Sequence, residues 1–155
     1  MLIDTLWLPP LLFAVFFATL WIVVCSGISH QIGWPRLAQH YRATAPFDGV
    51  RVPIRHARFG RSLLGGVNNA LNIGVNARGI EIRMVFLFRV NCPTLFVPWS
   101  EIRIARGKSW FMQYTEFEFA AVPGASMQIF GKAARRLQDA AGAAWPEVAI
   151  KPALN

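Results

Sequence analysis

Among the side chains of this sequence, Glu116 and Glu118 in the run MQYTEFEF are the best equipped for acid–base work. Two carboxylates two residues apart on a strand point to the same face. Such a pair can divide the roles of general acid and general base. Phe117 and Phe119 hold the other face, and no further group at a catalytic spacing accompanies the pair. A half-buried strand with a solvated acidic side is the simpler account. An enzyme built on Glu116 and Glu118 is therefore the most distant of three functional readings, and no catalytic residue is assigned.

Nucleophile and metal chemistry find less support. His30, His40 and His56 fall in separate segments, and with Cys25 and Cys92 they form no ligand spacing. No metal and no cofactor are expected. A thiol nucleophile at Cys92 would need a neighbouring base, which VNCPT does not supply. GRSLLGG spaces its glycines somewhat as a phosphate loop does, but the lysine that loop requires is missing. It reads as a connection between strands.

The basic residues offer binding instead. Arg103, Arg106 and Lys108 stand beside Trp110 in RIARGKSW, and Arg51, Arg55, Arg58 and Arg61 form a second cluster. Each cation near an anionic leaflet contributes about 1 kcal/mol of attraction, and Trp settles at headgroup depth. These residues are the expected contacts for membrane lipid or a protein partner. The alternative is that they set topology and keep a strand edge soluble. Nucleic acid is not expected: the aromatics alternate as core residues do, and no recognition helix or stacking platform is present. No small-molecule substrate is indicated.

The elements that must position these groups begin with the charge distribution. The chain carries 16 Lys and Arg against 8 Asp and Glu, yet no Lys or Arg precedes Arg36. The segment LWLPPLLFAVFFATLWIVVCSGI, about residues 6–28, has no charged side chain, and about 20 apolar residues suffice to cross a bilayer. It predicts one transmembrane helix, with Pro9 and Pro10 in or just before its first turn. Phe13, Phe16, Phe17 and Trp21 are its candidate packing residues. A cleaved signal peptide is disfavoured by the uncharged MLIDT start. The positive-inside rule puts the N-terminus outside and the rest in the cytoplasm, as in a single-pass membrane protein. With Cys25 in the membrane and Cys92 in the domain, no disulfide joins them.

Residues 1–29 are thus the N-terminal segment with its span, and residues 30–46 a connector. Trp34, Leu37 and Tyr41 recur there at helical spacing behind Pro35. From residue 47 to 146 the period becomes twofold and about six or seven strands fit. Pro53 predicts an edge or bulged strand. Leu71, Ile73 and Val75 alternate into the turn NARG, then Ile80, Ile82 and Met84 continue the pattern, which predicts a hairpin. RGK reads as a turn. A helix near residues 132–145 carries a stripe centred on Leu137, and residues 147–155 read as a tail.

Short strands closed by one C-terminal helix, over residues 47–145, resemble the order of elements in pleckstrin-homology-like domains, the GRAM-type and bacterial members included. This implies a small β-rich barrel or sandwich closed by the helix. More narrowly, GWPRLAQHYRA, LNIGVNARGIEI and LFVPWSEI are similar to landmarks of a family of small, uncharacterised bacterial single-span membrane proteins. That resemblance implies a place in a bacterial inner membrane and no catalytic residues.

The leading functional expectation is a membrane-anchored, non-enzymatic interaction or scaffolding protein, its cytoplasmic β domain meeting anionic lipid or a protein partner. The second is an accessory subunit of a larger membrane protein complex, docked through its transmembrane helix.

Overall fold

The computed structural model describes residues 2–60, 65–109 and 112–151. The largely apolar N-terminal segment forms one long helix, α1, over Leu2–Gln31. Its stretch Trp7–Gln31 contains an 18-residue window of mean hydropathy 2.5 and is long and apolar enough to cross a membrane. The helix outruns the expected limits at both ends. Pro9 and Pro10 consequently lie inside it rather than in its first turn, where each removes a backbone donor.

Gly33 then takes a left-handed conformation (φ 75°) that redirects the chain into α2, Trp34–Tyr41. Pro35 occupies its first turn, and Trp34, Leu37 and Tyr41 are buried, as their spacing predicts. This connector is part of the core.

Among the described residues eight strands follow: β1 (Val50–Phe59), β2 (Gly66–Val75), β3 (Gly79–Met84), β4 (Leu95–Pro98), β5 (Ile102–Ser109), β6 (Met112–Phe119), β7 (Ser126–Phe130) and β8 (Val148–Ile150). They form one curled sheet in the order β4-β3-β2-β1-β7-β6-β5-β8. The β2–β3 hairpin pairs Leu71 with Met84, Ile73 with Ile82 and Val75 with Ile80, the register the alternation predicts. Pro53 sits where β1 pairs only with β2, and a bulge follows between Ile54 and His56. On its other side β1 meets β7 only through Ala57–Phe59, so the missing Pro53 donor breaks no ladder there.

Two expectations need correction. Residues 147–155 are not simply a tail: Val148–Ile150 pair in parallel with Ile104–Arg106 as β8. RGK is not a turn either, because β5 continues through Arg106, Gly107 and Lys108, which pair with Thr115, Tyr114 and Gln113. A side chain at 107 would collide with the Tyr114 ring, which explains a glycine inside a strand.

The concave side of the sheet is filled by Ile54, Ile73, Ile82, Leu95, Phe117 and Met127, all fully buried. Helix α3, Ala133–Ala141, packs against β1, β2 and β7 and plugs this core with Leu137, which has no exposed surface. Trp99 ends β4, its indole N–H donating to the Asn76 carbonyl at 3.0 Å and its ring 5.7 Å from that of Trp145.

Candidate functional site

Strand alternation divides the first basic cluster. Along β5, Ile102 and Ile104 point inward, so Arg106 and Lys108 continue on that face while Arg103 projects from the other. Arg106 and Lys108 emerge where the inner face opens. There they line a groove of about 410 Å³ with Gln113 of β6, Arg135 of α3 and Lys151 after β8. The Arg106 guanidinium donates to Gln138 Oε1, which ties β5 to α3 across the groove. Arg103 instead lines a separate cavity of about 530 Å³ with Glu116 and Glu118. Arg135 and Lys151 were not among the expected contacts. Trp110 lies outside the described residues, as does Arg61.

The second cluster is largely engaged within the protein. Arg51 Nε donates to Glu81 Oε1 at 3.1 Å, and its guanidinium lies 5.4 Å from the centre of the Phe47 ring. Arg58 lies over Phe130 at 5.7 Å. Arg55, at the bulge, is exposed.

The acidic pair is not a solvated strand face. Glu116 is buried, and the Lys151 ammonium donates to Glu116 Oε2 at 2.6 Å and to Glu118 Oε1 at 2.7 Å. Burial alone would raise the Glu116 pKa, but the hydrogen bonds from Lys151 and Ser126 more than offset it and hold the carboxyl below its ordinary value. The bonds from Lys151 to Glu116 and then to Glu118 raise the Lys151 pKa. A general acid needs the opposite shift. The pair acts as the socket of a staple.

A third region joins α1 to the domain. Trp21 Nε1 donates to the Leu87 carbonyl at 3.1 Å, and its ring lies 5.6 Å from that of Phe88. Ser29 Oγ donates to the Asn91 carbonyl at 2.9 Å, and Asn91 Nδ2 donates to Ser26 Oγ at 2.6 Å. Trp34 Nε1 donates to the Pro93 carbonyl at 2.9 Å. The segment after β3 is thus clamped to α1 and α2 along its length. Of the expected helix-packing residues, Trp21 is used inside the chain. Phe13, Phe16 and Phe17 face outward, with Phe13, Phe17 and Trp21 forming a stacked ladder.

Cys25 and Cys92, expected apart, line one small apolar cavity of about 130 Å³ with Ile28, Met84 and Phe88; both thiols are free. The reason is the clamp, which folds residue 92 back onto α1. Sequence reading missed this junction. Its one visible signal was Ser26 and Ser29, three residues apart in an otherwise apolar helix, where a hydroxyl needs a partner.

Comparison with family models, with curated proteins and with solved structures finds no match to this chain.

Proposed function

We propose that this chain is a membrane-anchored interaction protein that holds its β domain in a fixed pose at the cytoplasmic face of a bacterial inner membrane. The observation that carries this reading is the contrast along α1. Its outer half leaves large apolar side chains uncovered, Phe16 being 65% exposed, while its domain end is locked by side-chain hydrogen bonds to residues 87 and 91. Uncovered apolar surface of that extent calls for lipid. A loose tether would need none of the clamp. The anchor therefore aims the domain, and what it presents is the groove lined by the cations of Arg106, Lys108 and Arg135, beside Lys151, whose ammonium is already held by Glu116 and Glu118. Its fit is to an anionic group, carried by a protein partner or a lipid headgroup.

Alkaline extraction of membranes tests the anchor: the full chain stays in the pellet, and its release would refute anchoring. Asp139→Cys, on the exposed side of α3, tests orientation. An impermeant maleimide should label it only after the inner membrane is opened. Labelling in intact cells would reverse the proposed topology. A stoichiometric partner retained in mild detergent and lost on replacing Phe13, Phe16 and Phe17 by Ala would instead favour the accessory-subunit reading.

A further inference from the structure

Beyond the single span, we infer that the tip Phe86-Leu87-Phe88 is a second membrane-inserted element, dipping among the acyl chains beside α1. The inference rests on the reading of α1 as a membrane helix.

The tip follows β3 as a short 3-10 turn in the run MVFLFR. Phe86 is 87% exposed and Leu87 59% exposed. Adjacent large apolar side chains turned outward at a loop tip are costly in water. Their depth follows from the hydrogen bond between Trp21 Nε1 and the Leu87 carbonyl. At 1.5 Å per residue, Trp21 lies about 15 Å along α1 from Gln31. Between these two residues Ile22, Val23, Val24 and Ile28 are also exposed, and α1 has no charged side chain there. If those residues face lipid, the hydrocarbon boundary lies on the domain side of them. Leu87, level with Trp21, is then inside it.

Part of the backbone of the tip is paired, as suits a place where unpaired polar groups are expensive. Phe88 N–H donates to the Val85 carbonyl, Arg89 N–H to the Phe86 carbonyl and Cys92 N–H to the Arg89 carbonyl. The Leu87 carbonyl takes the Trp21 indole, and the Asn91 carbonyl takes the Ser29 hydroxyl. Each bond pairs a group of the tip with the tip itself or with α1. Arg89 ends the apolar run with a side chain long enough to reach the headgroups. The occupant is lipid rather than a protein groove, because the exposed face of the tip is continuous with the uncovered face of α1 through Trp21. Two attachment points also stop the domain from rotating about the helix axis.

Spin labels in nanodiscs test this on the full chain, with Cys25 and Cys92 replaced by Ala and single cysteines placed at Phe16, Leu87 or Asp139. Labels at 16 and 87 should relax with oxygen and be shielded from a water-soluble nickel complex, while 139 behaves oppositely. Lipid-like behaviour at 16 with water-like behaviour at 87 overturns the inserted tip and leaves the span standing. Water-like behaviour at 16 removes the span and the tip together. The chain with its native cysteines gives an independent reading: after photolysis with a diazirine-bearing acyl chain, trypsin should release Met84–Arg89 carrying lipid. Adducts on α1 with none on that peptide would overturn the inference.

Discussion

Lys151, one residue beyond β8, holds two carboxylates of β6 at once, with its ammonium 2.6 Å from Glu116 Oε2 and 2.7 Å from Glu118 Oε1. Its own N–H donates to the Arg106 carbonyl at 2.8 Å, so the residue is fixed at both ends. The contact spans three neighbouring strands, β8, β5 and β6. It also fixes one wall of the basic groove.

Removing the ammonium should expose this role. Lys151→Met leaves Glu116 buried without its strongest partner, at an expected cost of about 1–3 kcal/mol. Chemical denaturation of the full chain in detergent measures it. A change within about 0.5 kcal/mol, the range of ordinary surface substitutions, would place the ion pair in solvent.

The same pair predicts a pH dependence with two shoulders. The Glu116 pKa is lowered from 4.5, so its contribution is complete above that value and is lost as pH falls through the lowered one. The Lys151 pKa is raised from 10.5, so its contribution is complete below that value and is lost as pH rises through the raised one. The stability difference between wild type and Lys151→Met should thus be largest between these limits and shrink toward both extremes. A difference that changes steadily across neutral pH would point to other groups.

Leu137→Ala tests the closure of the sheet by α3. Leu137 is fully buried and centres the face that α3 turns to β1, β2 and β7. The substitution should cost about 2–5 kcal/mol. Thermal unfolding followed by near-ultraviolet circular dichroism reports it, and an unchanged midpoint would mean that α3 does not seal the core.

The elements that were legible are those with a local period. Leu71, Ile73 and Val75 against Ile80, Ile82 and Met84 specify both hairpin and register, and Trp34, Leu37 and Tyr41 specify α2. The split between Arg103 and Arg106 was also available, since an odd separation on a strand means opposite faces. Reading RGK as a turn concealed it. Strand β8 had no signal of its own: three residues are too few for a period, and only pairing with β5 defines them. The junction was hidden for another reason, because Ser26 and Asn91 are brought together by the tertiary fold across 65 residues. Arg135 and Lys151 joined the groove in the same way, from elements that only meet in three dimensions.

Arg51 and Glu81 offer a test of whether the β1 arginines serve the fold or a ligand. Glu81 is buried in β3 and Arg51 is its ion-pair partner at 3.1 Å. Arg51→Met should destabilise by about 1–3 kcal/mol by leaving that carboxylate unpaired. Arg51→Met with Glu81→Met should recover part of the loss, since no orphan charge then remains. A double substitution that is merely additive would show that the two side chains act independently.

Asn91 separates the two forces that fix the domain against α1. Its backbone is left-handed, with φ 54°, and its side chain donates to Ser26 while its carbonyl accepts from Ser29. Asn91→Gly keeps the backbone conformation accessible and deletes the Ser26 bond, a loss of about 1 kcal/mol. Asn91→Ala deletes the same bond and adds about 1–2 kcal/mol for a left-handed alanine. Hydrogen exchange of residues 85–92 should rise in the Gly variant and rise further in the Ala variant. Distances between spin labels on α1 and α3 should broaden in the same order, because the clamp is what sets the pose. If exchange rises while the distances keep their width, the packing of Trp21 on Phe88 holds the domain by itself. If neither changes, residues 26, 29 and 91 do not fix the pose, and the domain is not aimed by its anchor.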